Sequence, residues 1–510
     1  MSEDCLYLNV FAPDSAHNKT VMVWIHGGGF ISGSTVLYDG SILAARHDVI
    51  VVSIAYRLGI FGFLSANGSL LPGNYGLHDQ VLALQFIKDN IQGFGGNPDN
   101  VVLFGQSAGA ISVGYHLISP LSRHLFRRAI LQSGNPLVPL MLTGRNTQTM
   151  AANDVIRDLC PLLVTNETQE VTEAGVSCLR RANASLLTDS FFKVFYSRLG
   201  SFAPIEDNDF FGEHPQELVD KKQFFDTKEI LIGTDVEEGA SFASYGPLGK
   251  FRRSDRIDAN FTRQTLVQTF NETLPPEMRP FIEAVLDYML SDVENTSDPK
   301  EVWKRYVEIV GDVVFVCSDL QFINQYSASN QTVFYYRFRP KPKFQALGPK
   351  WATGAVHSEE VAFVFGMPVV VQKMYTLREI ALSEALMTVW TRFAKTGNPN
   401  DAWLPYSQSQ PLYMSFDVDS SHMTQGFPGF KCDDYYAETM AKVREFARSG
   451  QRLIPPGLPR KLVARFVIIC GILVSWENQL LMSSILFTEP LVDAPEAESW
   501  AATKTAEHKR

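Results

Sequence analysis

Phe104-Gly105-Gln106-Ser107-Ala108-Gly109 is the stretch on which the reading of this chain turns. The strand-forming run Val101-Val102-Leu103-Phe104 leads into its serine turn, and a helix-compatible run of small and apolar residues, Ala108 to Leu117, leads out of it. A Gly-X-Ser-X-Gly pattern alone is common. Between a strand and a helix it describes a sharp turn that lifts the serine hydroxyl clear of the sheet edge, so Ser107 is the expected nucleophile. Gly105 and Gly109 let the backbone turn tightly and let the helix approach the strand.

About eighty residues earlier stands His26-Gly27-Gly28-Gly29-Phe30, directly after the apolar run Val21-Met22-Val23-Trp24-Ile25. Glycine-rich backbone presents bare N–H groups, and acyl transfer needs such donors aimed at a developing oxyanion. Similar strings cradle phosphate, but the Gly-Lys-Ser/Thr ending of a P-loop is absent. A glycine loop upstream of a nucleophile turn is the pairing expected of an esterase.

A serine nucleophile needs a base and an acid, and on an open α/β sheet they follow it in the order Ser, Asp/Glu, His. His116 and His124 follow Ser107 too closely to return over it. His214, His357, His422 and His508 remain. His357 is favoured over His214 because it lies in a polar turn, Thr353 to Glu360, before the apolar run Val361 to Phe365. Asp235, Glu237 and Glu238 all follow the strand Ile230 to Gly233, at the sheet end where loops carry chemistry. Spacing does not choose among these three.

The rest of the chain sets the frame. Strands are expected at Cys5 to Val10, Val49 to Ile54, Ala129 to Leu131 and Val333 to Tyr336, besides those already named. Helices are expected at Val81 to Ile91, with Leu82, Leu84, Phe86 and Ile87 on apolar faces, and at Ala381 to Lys395. Continuous apolar strands alternating with helices predict an α/β fold, a mostly parallel sheet covered on both faces. Residues 140–225 and 250–330 read as helical insertions above it. A domain over 1–450 and an atypical tail over 451–510 are expected, the break falling at Pro455-Pro456-Gly457-Leu458-Pro459. In the tail, the apolar stretch within 462–487 carries Arg465, and its core, Phe466 to Val474, is shorter than the 17–25 residues a membrane helix needs. A net charge of −10 speaks against a nucleic-acid surface.

None of the six cysteines, Cys5, Cys160, Cys178, Cys317, Cys432 and Cys470, stands in a zinc-ligand spacing, and no cofactor is implied. Asn18, Asn67, Asn166, Asn183, Asn260, Asn271, Asn295 and Asn330 each begin an Asn-X-Ser/Thr triplet, where roughly three would arise by chance. That excess predicts passage through the secretory pathway and hence disulfides. No signal peptide precedes Cys5; the chain begins almost directly on a strand, and an upstream segment is expected to be missing.

These motifs resemble the type-B carboxylesterase family, which includes the cholinesterases. The resemblance also rests on Ser2 to Val10, Gly73-Asn74-Tyr75-Gly76-Leu77-His78-Asp79-Gln80, Phe94-Gly95-Gly96-Asn97-Pro98, Gly354 to Phe365 and Trp390 to Asn400. It implies the α/β-hydrolase fold and a serine esterase acting on a small-molecule ester. Carried over by position, it implies Ser107 as nucleophile, His357 as base, Glu238 as acid, and the N–H groups of Gly28, Gly29 and Ala108 as oxyanion donors. It further implies disulfides Cys160–Cys178 and Cys317–Cys432, an upstream partner for Cys5, and a buried Arg57–Asp79 ion pair.

The chain departs from the cholinesterase pattern where choline would be read. Gln106 stands for a glutamate, Ser241 for an aromatic, and Arg198 and Gly200 for acyl-pocket phenylalanines. A quaternary ammonium needs aromatic faces, so a preference for neutral esters is expected. An adhesion or ligand-binding homologue on the same fold is the alternative; such relatives typically lose a triad member, and here all three positions are filled.

Overall fold

In the computed structural model, residues 3–426 are described, apart from 15, 140, 164–169, 196–200, 224–227, 244–260, 274–285, 287–289, 292–295, 297 and 346–347, together with Cys432 and Ala441. The tail 451–510, with its apolar stretch 462–487 and Cys470, lies outside them, as do Asn166, Asn260, Asn295, Arg198 and Gly200.

Nine strands form one sheet: β1 Leu8–Phe11, β2 Lys19–Ile25, β3 Ile50–Ile54, β4 Gly96–Gln106, β5 Arg128–Gln132, β6 Ile230–Asp235, β7 Val333–Phe338, β8 Leu412–Phe416 and β9 His422–Gln425. Their spatial order is β1-β3-β2-β4-β5-β6-β7-β8-β9. The pairs from β3 through β8 are parallel; β1 on β3 and β9 on β8 are antiparallel. The fold is the α/β-hydrolase arrangement, with helices on both faces.

Alternation along the strands explains why both faces are covered. Successive side chains point to opposite sides of a sheet. Val21, Val23, Ile25, Val101, Leu103, Ile230 and Ile232 bury into one core, which the helices Tyr75–Asn90 and Ala108–Ile118 complete. Met22, Trp24, Val102, Phe104 and Leu231 bury into a second core, which the helix Leu377–Thr396 closes. A strand apolar on both faces can lie only in the middle layer of three. The long helix is delimited as its sequence requires: Thr376 and Glu379 form a reciprocal capping box, and Gly397, left-handed at φ 81°, ends it.

Some expectations shift. The helix expected from Val81 begins at Tyr75, and Leu82 lies on its solvent face at 66% exposure rather than against the core. The first strand begins at Leu8 rather than Cys5. Helices Arg145–Leu159, Glu173–Arg181, Ala184–Phe195, Arg263–Thr273 and Pro299–Gly311 fall within the expected insertions. Both disulfides form, Cys160–Cys178 and Cys317–Cys432, and Cys5 is free and exposed. Asp79 is buried and bonded by both Nε and Nη2 of Arg57 at 2.8 and 2.7 Å, but Arg57 itself is only half-buried, so the ion pair is open on one side. No helix among the described residues is long and apolar enough to cross a membrane. Of the expected sequons, Asn18, Asn67, Asn183 and Asn330 have described side chains, and all four are exposed.

Candidate active site

The end of β4 carries Ser107 at φ 56° and ψ −126°, a conformation an ordinary L-residue avoids. Such a position costs on the order of 1–3 kcal/mol and persists only where its surroundings hold it. Here the hold is visible. Ser107 N–H donates to Gln132 O of β5 at 2.9 Å, and Ser107 O starts the ladder of the following helix by accepting from Ile111 N–H. Ser107 is 7% exposed, and among the described residues its Oγ has no hydrogen-bond partner.

The glycine loop lies directly against this turn. A Cβ at Gly27 would stand 2.6 Å from Gln106 O and 3.1 Å from Ser107 Cβ, so only glycine allows the approach. Gly28 and Gly29 follow with φ of 111° and 61°. Gly28 O accepts from the N–H groups of Ile31 and Ser32, which folds the loop on itself. Behind it, His26 is buried, stacks on Tyr56 at 4.5 Å, and donates from Nδ1 to Gly27 O. Burial pushes this imidazole down to about 4, so at neutral pH it is an uncharged loop anchor. Among the described residues, the N–H groups of Gly28, Gly29 and Ala108 donate to nothing in the chain.

The three acid candidates separate clearly. Glu237 turns outward and accepts from the N–H and hydroxyl of Thr353. Asp235 turns inward, beside Glu360. Glu238 meets the imidazole: its Oε2 lies 2.6 Å from His357 Nδ1, and the two groups are 1% and 3% exposed. Its Oε1 accepts from Asp235 N–H at 2.8 Å and from Ser133 Oγ at 2.5 Å. His214 is elsewhere: its Nδ1 caps the helix Pro215–Asp220, and it lines a separate cavity with Arg145 and Glu206.

With Nδ1 donating to a carboxylate, neutral His357 keeps a lone pair on Nε2. That nitrogen faces Gln106 Nε2 at 3.1 Å, so the amide donates to it. Two rings wall the imidazole: Phe315 stacks on it at 4.6 Å and Phe242 leans on it at 5.0 Å. Phe315 belongs to a π-helical turn, Asp312–Val316, an insertion that often marks functional sites. Sequence reasoning overlooks Ser133, Glu360 and Phe315. For Ser133 a signal exists, since Gln132-Ser133-Gly134-Asn135 is a polar run at the end of a central strand. No comparable signal marks the π turn.

No group of His, Cys, Asp and Glu among the described residues is arranged to hold a metal ion.

A parallel sheet with a strained serine turn at the end of a central strand defines an α/β-hydrolase. More narrowly, the chain belongs to the Carboxylesterase family, whose sequence model it matches over residues 1–433, and it is a carboxylic ester hydrolase. It is 38% identical over 432 residues to an acetylcholinesterase of Bungarus fasciatus, covering 82% of this chain and 69% of that one. It is 37% identical over 480 residues to an acetylcholinesterase of Electrophorus electricus, covering 85% and 74% respectively.

Proposed function

We propose that the chain is a serine carboxylesterase that works through an acyl-enzyme on Ser107, with His357 as base, Glu238 as its acid partner, and the N–H groups of Gly28, Gly29 and Ala108 as oxyanion donors. The observation that carries this reading is the 2.6 Å bond from His357 Nδ1 to Glu238, which leaves the Nε2 lone pair against Gln106, the neighbour of Ser107. Ser107 Oγ displaces that amide on approaching the imidazole. It then passes its proton to Nε2 as its oxygen bonds to the ester carbonyl carbon. The carbonyl electrons move onto oxygen, where unpaired N–H groups stabilise them. Collapse breaks the bond to the alcohol, which leaves with the proton from His357. Water repeats the cycle and releases the acid. Glu238 orients the imidazole and stabilises its cation throughout.

Neutral esters are the proposed substrates, ahead of choline esters. Ser241 supplies a buried hydroxyl with no partner where an aromatic face is expected, and Gln106 supplies an amide where a carboxylate is expected. Neither attracts a quaternary ammonium. Relatives with acetylcholinesterase as their name make the comparison sharp: a choline ester and a neutral ester of one acyl group are assayed side by side, and strong preference for choline would sink the substrate reading.

Two disulfides and four exposed sequons support a secretory location. We take residues 1–450 as one hydrolase domain and 451–510 as a separate tail.

The hydrogen bond from Gln106 to His357, with Ser107 Oγ unpaired, favours a second reading, a catalytically idle ligand-binding homologue. Titration with an organophosphate and mapping of the adduct separates the two. Stoichiometric label on Ser107, absent in Ser107→Ala, supports the esterase; a folded, unlabelled protein supports the idle homologue.

A further inference from the structure

Asp235, the last residue of β6, and Glu360, in the helix Glu359–Val364, are both fully buried. Two of their four carboxyl oxygens have plain donors. Asp235 Oδ2 accepts from Glu359 N–H at 3.2 Å, and Glu360 Oε1 accepts from Gln132 Nε2 at 3.0 Å. Gln132 is held in turn by Trp390 Nε1 on its own Oε1 at 3.1 Å. The remaining two oxygens, Asp235 Oδ1 and Glu360 Oε2, are buried with no donor among the described residues, and the two carboxyl groups lie within hydrogen-bonding reach of each other. Two carboxylate oxygens are both acceptors. A hydrogen bond between them requires a proton on one.

The titratable groups facing this pair are Glu238 from the β6 end, Glu359 beside it, His357, Tyr336 of β7 and Tyr38. Of these, His357 alone can become a cation. A doubly ionised pair would place two like charges in contact in a dry site with no fixed cation facing it, which is prohibitive.

We propose that Asp235 and Glu360 form a proton-sharing acid pair behind the Glu238–His357 couple, with Asp235 as the acid and Glu360 as the carboxylate, so that the pair presents one negative charge to His357. The asymmetry has a physical cause. Burial, then the charges of Glu360 and Glu238, push the Asp235 carboxyl well up. Burial also raises Glu360, but the hydrogen bonds from Asp235 and Gln132 oppose it. The proton therefore sits on Asp235 Oδ1 and is donated to Glu360 Oε2. Both are positioning residues. Asp235 holds Glu238 through its backbone N–H, and the Glu360 charge favours the imidazolium that forms during acyl transfer. The shared proton does not leave during turnover.

The consequence for catalysis rests on His357 being the base; the shared proton does not. The test compares the wild type with Asp235→Asn and Glu360→Gln by three readouts: infrared difference spectra, the pH profile of kcat/KM on a 4-nitrophenyl ester, and organophosphate labelling of Ser107. At neutral pH the wild type should show a protonated-carboxyl component that Asp235→Asn lacks, beside the band of buried Glu359 that both proteins share. Glu360→Gln should move the acid limb of the profile to lower pH by roughly one pH unit, since it removes a nearby charge in a medium of effective dielectric about 20. Asp235→Asn keeps a donor where the proton was and should leave the limb in place. The proposal is overturned if the wild type and Asp235→Asn have the same carboxyl spectrum, or if Asp235→Asn moves the limb as Glu360→Gln does. The infrared comparison keeps it falsifiable if Glu360→Gln does not fold. A carboxyl component that Asp235→Asn loses, with no label on Ser107 in the wild type, overturns the esterase reading alone and supports the shared proton.

Discussion

Gln106 and His357 face each other through their Nε2 atoms at 3.1 Å, while Glu238 holds the opposite side of the imidazole at 2.6 Å. A neutral amide thus sits on the lone pair that a general base must use. Gln106→Glu would place a carboxylate there and attract a proton to that nitrogen. The acid limb of kcat/KM against pH should move up by roughly one pH unit, the direction a charge in a low-dielectric site dictates. An unmoved limb would mean that the new side chain turns away from His357.

Ser133 should matter to rate more than to binding. Its hydroxyl gives Glu238 Oε1 a 2.5 Å bond, and the second bond to that oxygen comes from Asp235 N–H. Hydrogen bonds to charged groups are worth about 1.5–3 kcal/mol net. If that bond strengthens as the imidazolium forms, Ser133→Ala loses roughly ten- to a hundredfold in kcat with KM little changed. Steady-state kinetics and a melting curve check this; unchanged kcat in a folded variant would show that Asp235 N–H alone positions Glu238.

Gly109 is a structural test of the serine turn. A Cβ there would overlap the carbonyl of Ile25, the last residue of β2, and would stand 2.9 Å from the carbonyl carbon of His26. The obstruction is backbone in a central strand, which cannot rotate away. Gly109→Ala should therefore cost about 3 kcal/mol or more, at the upper end for overpacking, and should lose the organophosphate label on Ser107. A variant with wild-type melting temperature and full labelling would contradict the packing described here.

The sheet is legible in the sequence where strands run Val21 to Ile25 or Val101 to Phe104, because apolar runs between helices have one stable placement. β8 and β9 are not, since Leu412–Phe416 is a short run directly after Pro411, and His422–Gln425 is mostly polar and pairs only with β8 at the sheet edge. The site divides the same way. Ser107 and the glycine loop are local motifs. The choice among Asp235, Glu237 and Glu238 is not local: it depends on contacts with Thr353, His357 and Glu360, more than a hundred residues away. Family resemblance selects Glu238, and the geometry separates it from its neighbours through those long-range partners.

Glu359 ties stability to pH. Its carboxyl is buried at 5% exposure with Oε2 unpaired, and burial pushes it up to about 8, against the pull of Gln345 and Lys341. In the unfolded chain it ionises near 4.5. Between those values the folded protein holds a proton that the unfolded chain has released. Its contribution to stability is therefore fully present below about 4.5 and is lost as pH rises through about 8. Each pH unit in that window removes up to about 1.4 kcal/mol. Glu359→Gln is neutral at every pH and should flatten this part of the curve, so that the variant gains on the wild type as pH rises from 5 to 9. Urea unfolding at several pH values measures the difference, and parallel curves for the two proteins would show that Glu359 is already ionised in the folded state.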